Sequence, residues 1–365
     1  MKRIDSLDGL RGASIALVLL SHAGLGKVVP GGLGVTLFFF ISGYIITRLL
    51  LQEQDRCGSI DVPAFFARRA FRILPALFVY LLAASLYLHY KFAVFDAPHL
   101  LSAILNVYNY YYIFALDHGG AVGNHHPYAI VWSLAVEEHY YLVFPFIFST
   151  LISKPRKLRN LLLIICVITL GWRLYLAGYI GTTNLPAERI YKATDTRIDS
   201  IAFGAIYALI STNNRSERIL KALRSKHALS VGILLLLLSL TYRNPIFRES
   251  LRYTIQGVGI ALIFHSLIET DTPKFSLFTN SIVIWLGAVS YSLYLWHWLC
   301  LIALENAWPI LMSTWIGHLI FVLLSLAVAH LSHRFIERPL LTLGRRWQVE
   351  RTARRNTAQK CTQPQ

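Results

Sequence analysis

The chain has 365 residues, 55% hydrophobic and only 15% charged, with a mean hydropathy of +0.50. A soluble domain carries about 25% charged residues to wet its surface, so the composition argues against a disordered chain, a disulfide-framed secreted domain and an ordinary cytosolic enzyme. The net charge of +16 does not signal nucleic-acid binding, because the basic residues fall in short clusters between apolar runs, as in a polytopic membrane protein.

About 20 apolar residues cross a bilayer as a helix. On that measure the chain predicts ten spans, near 7–25, 33–51, 73–90, 128–151, 160–179, 198–211, 228–242, 252–269, 281–303 and 310–332. The stretch 97–116 is apolar but carries Asn106, Asn109 and four tyrosines. Charge parity decides how it is read. If it does not cross, then Lys2 and Arg3, the basic segments 48–72, 154–159 and 215–226, and the C-terminal tail all lie on one side. With Lys274 and with the tail counted from Arg334, that side holds 25 of the 35 Lys and Arg residues, as the retention of basic loops in the cytoplasm demands. The expected fold is therefore all-α, a polytopic membrane protein of about ten transmembrane helices plus a re-entrant or interfacial helix over 97–116. It is expected in the inner (cytoplasmic) membrane with both termini cytoplasmic. One membrane domain is expected over 1–343, followed at 344–365 by a basic, disordered cytoplasmic tail.

Asp5, Asp8 and Arg11 interrupt the first apolar run too early for a cleaved signal peptide. Cys57, Cys166, Cys300 and Cys361 lack the spacing of a disulfide frame or a zinc site, and no metal is expected. His125 and His126 are adjacent in an outer loop, but the sequence indicates no third ligand beside them. The glycines of PGGLGVTLFFFISGY suit close helix packing within the membrane.

An ionisable residue in a span is costly and marks a candidate functional site. Arg11 and His22 are eleven residues apart. At 100° per residue that is within about 20° of three full turns, so one helix face carries both, roughly 16 Å apart along the axis. A snorkelling arginine and a hydrogen-bonded histidine would explain them equally well. Arg68, Arg69 and Arg72 enter the third span; Arg69 and Arg72 share a helix face and offer forked donors suited to phosphate, or form a basic stop-transfer cluster. In WSLAVEEHYYLVFP, Glu137 and Glu138 point about 100° apart, so at most one faces a given site. Glu137 is read either as the group that orients a histidine or as half of a salt bridge, for instance to Arg197. His297 lies between two tryptophans, in a functional site or an interfacial aromatic belt. Asp195, Arg197 and Asp199 open a span from outside, as a self-neutralising network or as the lining of an acceptor cleft. Glu337 and Arg338 precede Pro339, and a structural role is expected of them. No serine-nucleophile elbow, zinc-protease helix or phosphate-cradling glycine loop is present.

In order along the chain, IDSLDGLRGASIALVLLSH, the Arg-x-x-Arg at Arg69 and Arg72, WSLAVEEHYYLVFP, SYSLYLWHW and FIERP resemble the acyltransferase 3 family of integral membrane O-acyltransferases, from about residue 4 to residue 341. The resemblance implies transfer of an acyl group, usually acetyl, from cytoplasmic acyl-coenzyme A to a hydroxyl of an extracytoplasmic or lipid-linked glycan. Acyl-coenzyme A is then a co-substrate and no cofactor is bound permanently; the partners are donor, glycan acceptor and membrane lipid. His22 is expected as general base, with Arg11 and Glu137 beside it in the catalytic set. Arg69 and Arg72 are expected to bind the donor, and Asp195, Arg197, Asp199 and His297 the acceptor. Many relatives carry an added hydrolase-like domain that this sequence lacks, so a two-domain relay within the polypeptide is not expected. The rival reading is a transporter or flippase of a lipid-linked sugar, although no internal half-repeat of the kind transporters often show is visible.

Overall fold

The computed structural model describes residues 5–118, 126–182, 185–212, 217–268 and 276–361, and no strand occurs among them. Helix α1 runs Asp5–Leu20 and opens into a wide π-turn over Ser21–Leu25, where Gly24 takes a φ of +81°. Then follow α2 (Gly31–Cys57) and α3 (Val62–Phe92). The Asp61 side chain caps α3 by accepting the Ala64 N–H at 2.9 Å, satisfying one of the free donors at a helix start. Two short helices, α4 (Ala97–Ile104) and α5 (Tyr108–Asp117), lead to α6 (Trp132–Leu151) and α7 (Pro155–Tyr175). Beyond these come α8 (Leu185–Lys192), α9 (Thr194–Ser211), α10 (Glu217–Leu223), α11 (Lys226–Thr241), α12 (Pro245–Glu249) and α13 (Leu251–Ile268). The C-terminal part comprises α14 (Ser276–Thr279), α15 (Ser281–Ala307), α16 (Pro309–Met312), α17 (Trp315–Ser332) and α18 (Arg338–Cys361).

Six described stretches are long and apolar enough to cross a membrane: Gly31–Cys57, Val62–Phe92, Pro155–Ile180, Leu251–Ile268, Ser281–Ala307 and Trp315–Gln348. The expectation of ten is therefore not met by length and composition. The other four predicted spans coincide with α1, α6, α9 and α11. Helix α11 is short, with 16 residues. Helices α1 and α6 carry ionisable side chains in their first half, Arg11 and Glu137 with Glu138, and α9 carries Arg197 with Asp199 in its opening turns, and their polar faces turn into the bundle. The stretch 97–116 forms no single span: α4 and α5, about 12 and 15 Å long, are broken around Asn106, which takes a φ of +56°. Residues 344–361, expected as a disordered tail, continue α18, and Arg351 reaches Asp61 at the start of α3 with two hydrogen bonds of 2.9 and 3.1 Å.

The centre of the bundle is set by two close crossings. Helix α1 packs chiefly on α15, and α2 on α9. At the second crossing, a Cβ on Gly43 would lie 1.9 Å from the Ile201 carbonyl oxygen, and one on Gly204 would lie 1.9 Å from that of Phe40. Backbone touches backbone there, so small residues are required, as expected of the glycine-bearing α2 segment. The first crossing is equally tight: Cβ atoms on Gly12 and Gly287 would meet the carbonyls of Val283 and Asp8 at 2.0 and 1.8 Å.

Gly204→Val should force α2 and α9 apart. Overpacking alone costs roughly 1–3 kcal/mol, and backbone leaves less room to relax than side chains do. Detergent-extracted variant protein should melt well below wild type or aggregate on size exclusion; an unchanged melting temperature would contradict the contact.

Candidate active site

Two cavities meet at the bundle centre. The first, about 100 Å³, is lined by Arg11, by the Ser42 face of α2, by Arg69 and Arg72 of α3, by Glu137 and Tyr141 of α6, and by Ser290 and Tyr294 of α15. Its α2 wall is largely apolar, with Phe38, Phe39 and Ile45, and its opposite wall is cationic. The second, about 330 Å³, is lined by His22, Trp132, Tyr191, Trp298 and the Glu188–Lys192 pair of α8, whose ion-pair distance is 2.7 Å. Val35 and Tyr294 belong to the lining of both, so these side chains form the partition. The Tyr294 hydroxyl is held 2.6 Å from the Ser133 hydroxyl.

Arg11 donates to Ser290 at 2.9 Å, and His22 Nδ1 lies 3.0 Å from His297 Nε2. Ser290 and His297 are seven residues, two turns, apart on α15. Thus both side chains predicted to share an α1 face do address the same neighbouring helix. The α-helix itself stops at Leu20, and His22 is presented from the π-turn. The His22 and His297 rings stack, with centroids 5.2 Å apart and planes at 17°, and Trp298 lies against His22 at 5.1 Å. His297 is fully buried; His22 is half-buried, facing the larger cavity.

Glu137 sits among Arg69, 3.5 Å from its Oε2, and the hydroxyls of Ser42 and Tyr141, which donate at 3.0 and 3.1 Å. Its ion-pair partner is thus Arg69, the alternative of a neighbouring arginine rather than a histidine; Arg197 is held elsewhere. Arg69 also lies 3.5 Å from Glu138 and over the Tyr141 ring at 3.2 Å. Arg72, by contrast, is exposed to the cavity and makes no hydrogen bond or ion pair with any described residue. Three guanidiniums against the Glu137 carboxylate leave this cavity suited to a phosphate-bearing ligand.

Residues 4–334 match a family model described as an acyltransferase domain. The chain belongs to the acyltransferase 3 family. It is 31% identical over 355 residues to a protein of Staphylococcus aureus (strain COL) provisionally named an O-acetyltransferase, covering 94% of this chain and 58% of that protein. It is 26% identical over 361 residues to the peptidoglycan O-acetyltransferase OatA of Listeria monocytogenes, covering 94% and 56%. To the O-acetyltransferase OatA of S. aureus (strain NCTC 8325) it is 29% identical over 368 residues, covering 93% and 58%. The chain therefore spans a little over half the length of these relatives. No solved structure gives a significant match.

Of the family segments, those carrying Arg11 and His22, Arg69 and Arg72, Glu137, and His297 converge on the two cavities. The Glu337 carboxylate instead accepts from Ser292 on the far side of α15 and pairs with His333 at 3.1 Å, consistent with the structural role expected of it. Asp195, Arg197 and Asp199 line neither cavity, and the alternating signs do not neutralise one another. Asp199 pairs with Arg173 through two bonds of 2.9 and 2.6 Å, both side chains fully buried. Asp195 accepts from Trp172, Arg189 and Tyr110 at 2.6, 2.6 and 2.9 Å. Arg197 donates to Thr36 at 3.1 Å and lies over the Tyr253 ring at 4.1 Å. The sequence reading passed over Arg173, although an arginine at the end of an apolar run is itself a signal.

It also passed over partners for His126, whose neighbour His125 lies outside the described residues. Asp96 and His99 stand beside it, Asp96 Oδ1 at 2.8 Å from His99 Nδ1 and Oδ2 at 3.2 Å from His126 Nε2. The three form a candidate metal triad by proximity, but the hydrogen-bond polarity favours a clamp. The Tyr128 N–H donates to His126 Nδ1 at 3.3 Å, so the proton of neutral His126 is on Nε2 and points at the carboxylate. A metal-bound histidine instead donates from its other nitrogen. The clamp ties the start of α4 to the segment whose His126 carbonyl accepts from Trp298, 3.0 Å away.

Asp199→Asn would leave the Arg173 charge buried without its partner, at a cost of roughly 3–5 kcal/mol. Membrane yield and melting temperature should fall sharply, whereas a well-folded variant with a defect only in acceptor use would restore the cleft reading. For the Asp96–His99–His126 clamp, burial pushes the Asp96 carboxyl up, but the hydrogen bond and charge of His99 outweigh it and hold the pKa below its ordinary value. Burial first, then the proximity of His99, pushes His126 down to about 4. Both shifts stabilise the fold above the unfolded values and are lost as pH falls, His126 between about 6.5 and 4 and Asp96 lower still. Acidification from pH 7 to 4 should therefore raise hydrogen exchange, corrected for intrinsic rate, in 96–104 and 126–131; unchanged protection would count against the clamp.

Proposed function

We propose that the chain is a membrane O-acyltransferase that moves an acyl group, most simply acetyl, from acyl-coenzyme A to a hydroxyl of an extracytoplasmic or lipid-linked glycan. The observation that carries this reading is the pair of adjoining cavities, one bearing Arg11, Arg69 and Arg72, the other bearing His22, parted by Val35 and Tyr294. A polyanionic donor with a long, partly apolar arm suits the first; a polar acceptor suits the second. Kinship with a protein named as a peptidoglycan O-acetyltransferase over 94% of this chain supports a glycan acceptor. The basic loops support an inner-membrane orientation with both termini, and the Arg69–Arg72 end of α3, in the cytoplasm.

In this reading Arg72, paired with no carboxylate among the described residues, engages donor phosphate. Arg69 adds positive charge, held in place by Glu137, Glu138 and the Tyr141 face. His22 withdraws the proton of the acceptor hydroxyl as its oxygen attacks the thioester carbonyl. Arg11 stabilises negative charge, on donor phosphate or on the carbonyl oxygen as the tetrahedral intermediate forms. Collapse of that intermediate breaks the carbon–sulfur bond, and the departing thiolate recovers a proton from the His22 imidazolium. Ester and free thiol leave by opposite sides.

Purified protein given radiolabelled acetyl-coenzyme A and a glycan acceptor should transfer label covalently; translocation of a lipid-linked sugar without transfer would favour the transporter reading. His22→Ala should lower kcat by roughly 10²–10⁴-fold at unchanged membrane abundance. Arg72→Ala should raise KM for acetyl-coenzyme A about tenfold, the scale of one lost charge-assisted contact, with KM for the acceptor unmoved. Equal losses for both substrates would point to a folding defect.

A further inference from the structure

We infer that His297 is a positioning residue for His22, a second imidazole that fixes its tautomer and carries part of its charge during turnover. The inference rests on the acyltransferase reading, and deepens it. His297 Nδ1 lies 2.9 Å from the Leu293 carbonyl oxygen, one helical turn back. A carbonyl only accepts, so His297 Nδ1 carries a proton. In the neutral ring Nε2 is then a lone pair, and its neighbour at 3.0 Å is His22 Nδ1. His22 must therefore donate from Nδ1, which leaves the lone pair of neutral His22 on Nε2. A base needs that free lone pair where the acceptor enters.

Burial separates the two roles. His22 lines the 330 Å³ cavity, whereas His297 lines neither cavity and is fully enclosed. His297 thus has no access to substrate, and both of its nitrogens are already committed. When His22 takes a proton from the acceptor, its Nδ1–H becomes a stronger donor, and His297 Nε2 is in place to accept the strengthened bond. In the more familiar triads a carboxylate holds the base in this way. A neutral imidazole does so without adding a buried negative charge. Trp298, tilted against His22 and itself anchored to the His126 carbonyl, closes the other side of the ring and limits its rotation.

Two variants separate positioning from packing. Glutamine in place of His297 offers a side-chain oxygen near the former Nε2 and still accepts; leucine fills similar space and does not. His297→Leu should lower kcat by roughly 10²–10⁴-fold, the scale seen when a base is left in the wrong tautomer, with KM for acetyl-coenzyme A unchanged. His297→Gln should recover at least tenfold of that loss. Wild-type kcat in the leucine variant, or equal impairment of both variants, would overturn the proposal. A second readout does not depend on turnover. Nitrogen-15 spectra of histidine-labelled wild-type protein, assigned with His22→Asn and His297→Gln, should show both rings protonated at Nδ1. A proton on Nε2 of His22 would also overturn it. Absence of acyl transfer by wild-type protein would sink the acyltransferase reading instead, while the spectra would still decide the tautomer.

Discussion

Everything at the centre of this molecule depends on α1 and α15 meeting backbone to backbone. Gly12 and Gly287 leave no space for a methyl group at the crossing. Two side-chain contacts follow from that approach, Arg11 to Ser290 and His22 to His297. Neither hydroxyl nor imidazole has the length to span a wider gap. The π-turn at Ser21–Leu25 adjusts the last few residues so that His22 still faces α15 after the regular helix has ended. The crossing therefore places a guanidinium beside one cavity and an imidazole beside the next.

Charge pairing separates the structural ionisable groups from those available to a ligand. Inside a bundle a lone charge is costly, and breaking a buried pair costs more than the pair contributes. Arg173 and Asp199 satisfy each other and the nearby backbone, and they hold α7 to α9. Arg69 is likewise engaged, between two carboxylates and the Tyr141 face. Arg72 has no such partner among the described residues and faces a cavity. The three arginines look alike as residues in apolar runs, yet pairing assigns them to different tasks.

Much of the outline was legible beforehand. Residue spacing alone put Arg11 and His22 on one side of α1, since a helix has a fixed angular step, and both reach the same neighbour. The glycines of α2 announced a close crossing. Charge parity argued against a full span over 97–116, and two short helices stand there. Legibility failed where a property depends on a partner far along the chain. The TDTRIDS segment read as a self-neutralising network or the lining of an acceptor cleft, but Asp199 faces Arg173 and Asp195 faces Trp172, Arg189 and Tyr110. Length and composition alone reach six of the ten expected spans for a related reason: α1 is short, α6 and α9 carry ionisable groups that face helix neighbours, and their own length or hydropathy does not mark them as lipid-facing.

By itself the sequence determined the all-helical class, the rows of apolar residues, and which few ionisable groups would be carried into the bundle. These follow from composition and from the period of the helix, both local properties. Only the tertiary structure decided that Glu137 serves Arg69, that Arg72 faces a cavity without a partner among the described residues, and that the partner of His22 is another histidine 275 residues later. Hydrogen bonds and ion pairs reach only about 3 Å. Which groups come within that reach is set by how helices cross, and no single stretch of sequence encodes a crossing.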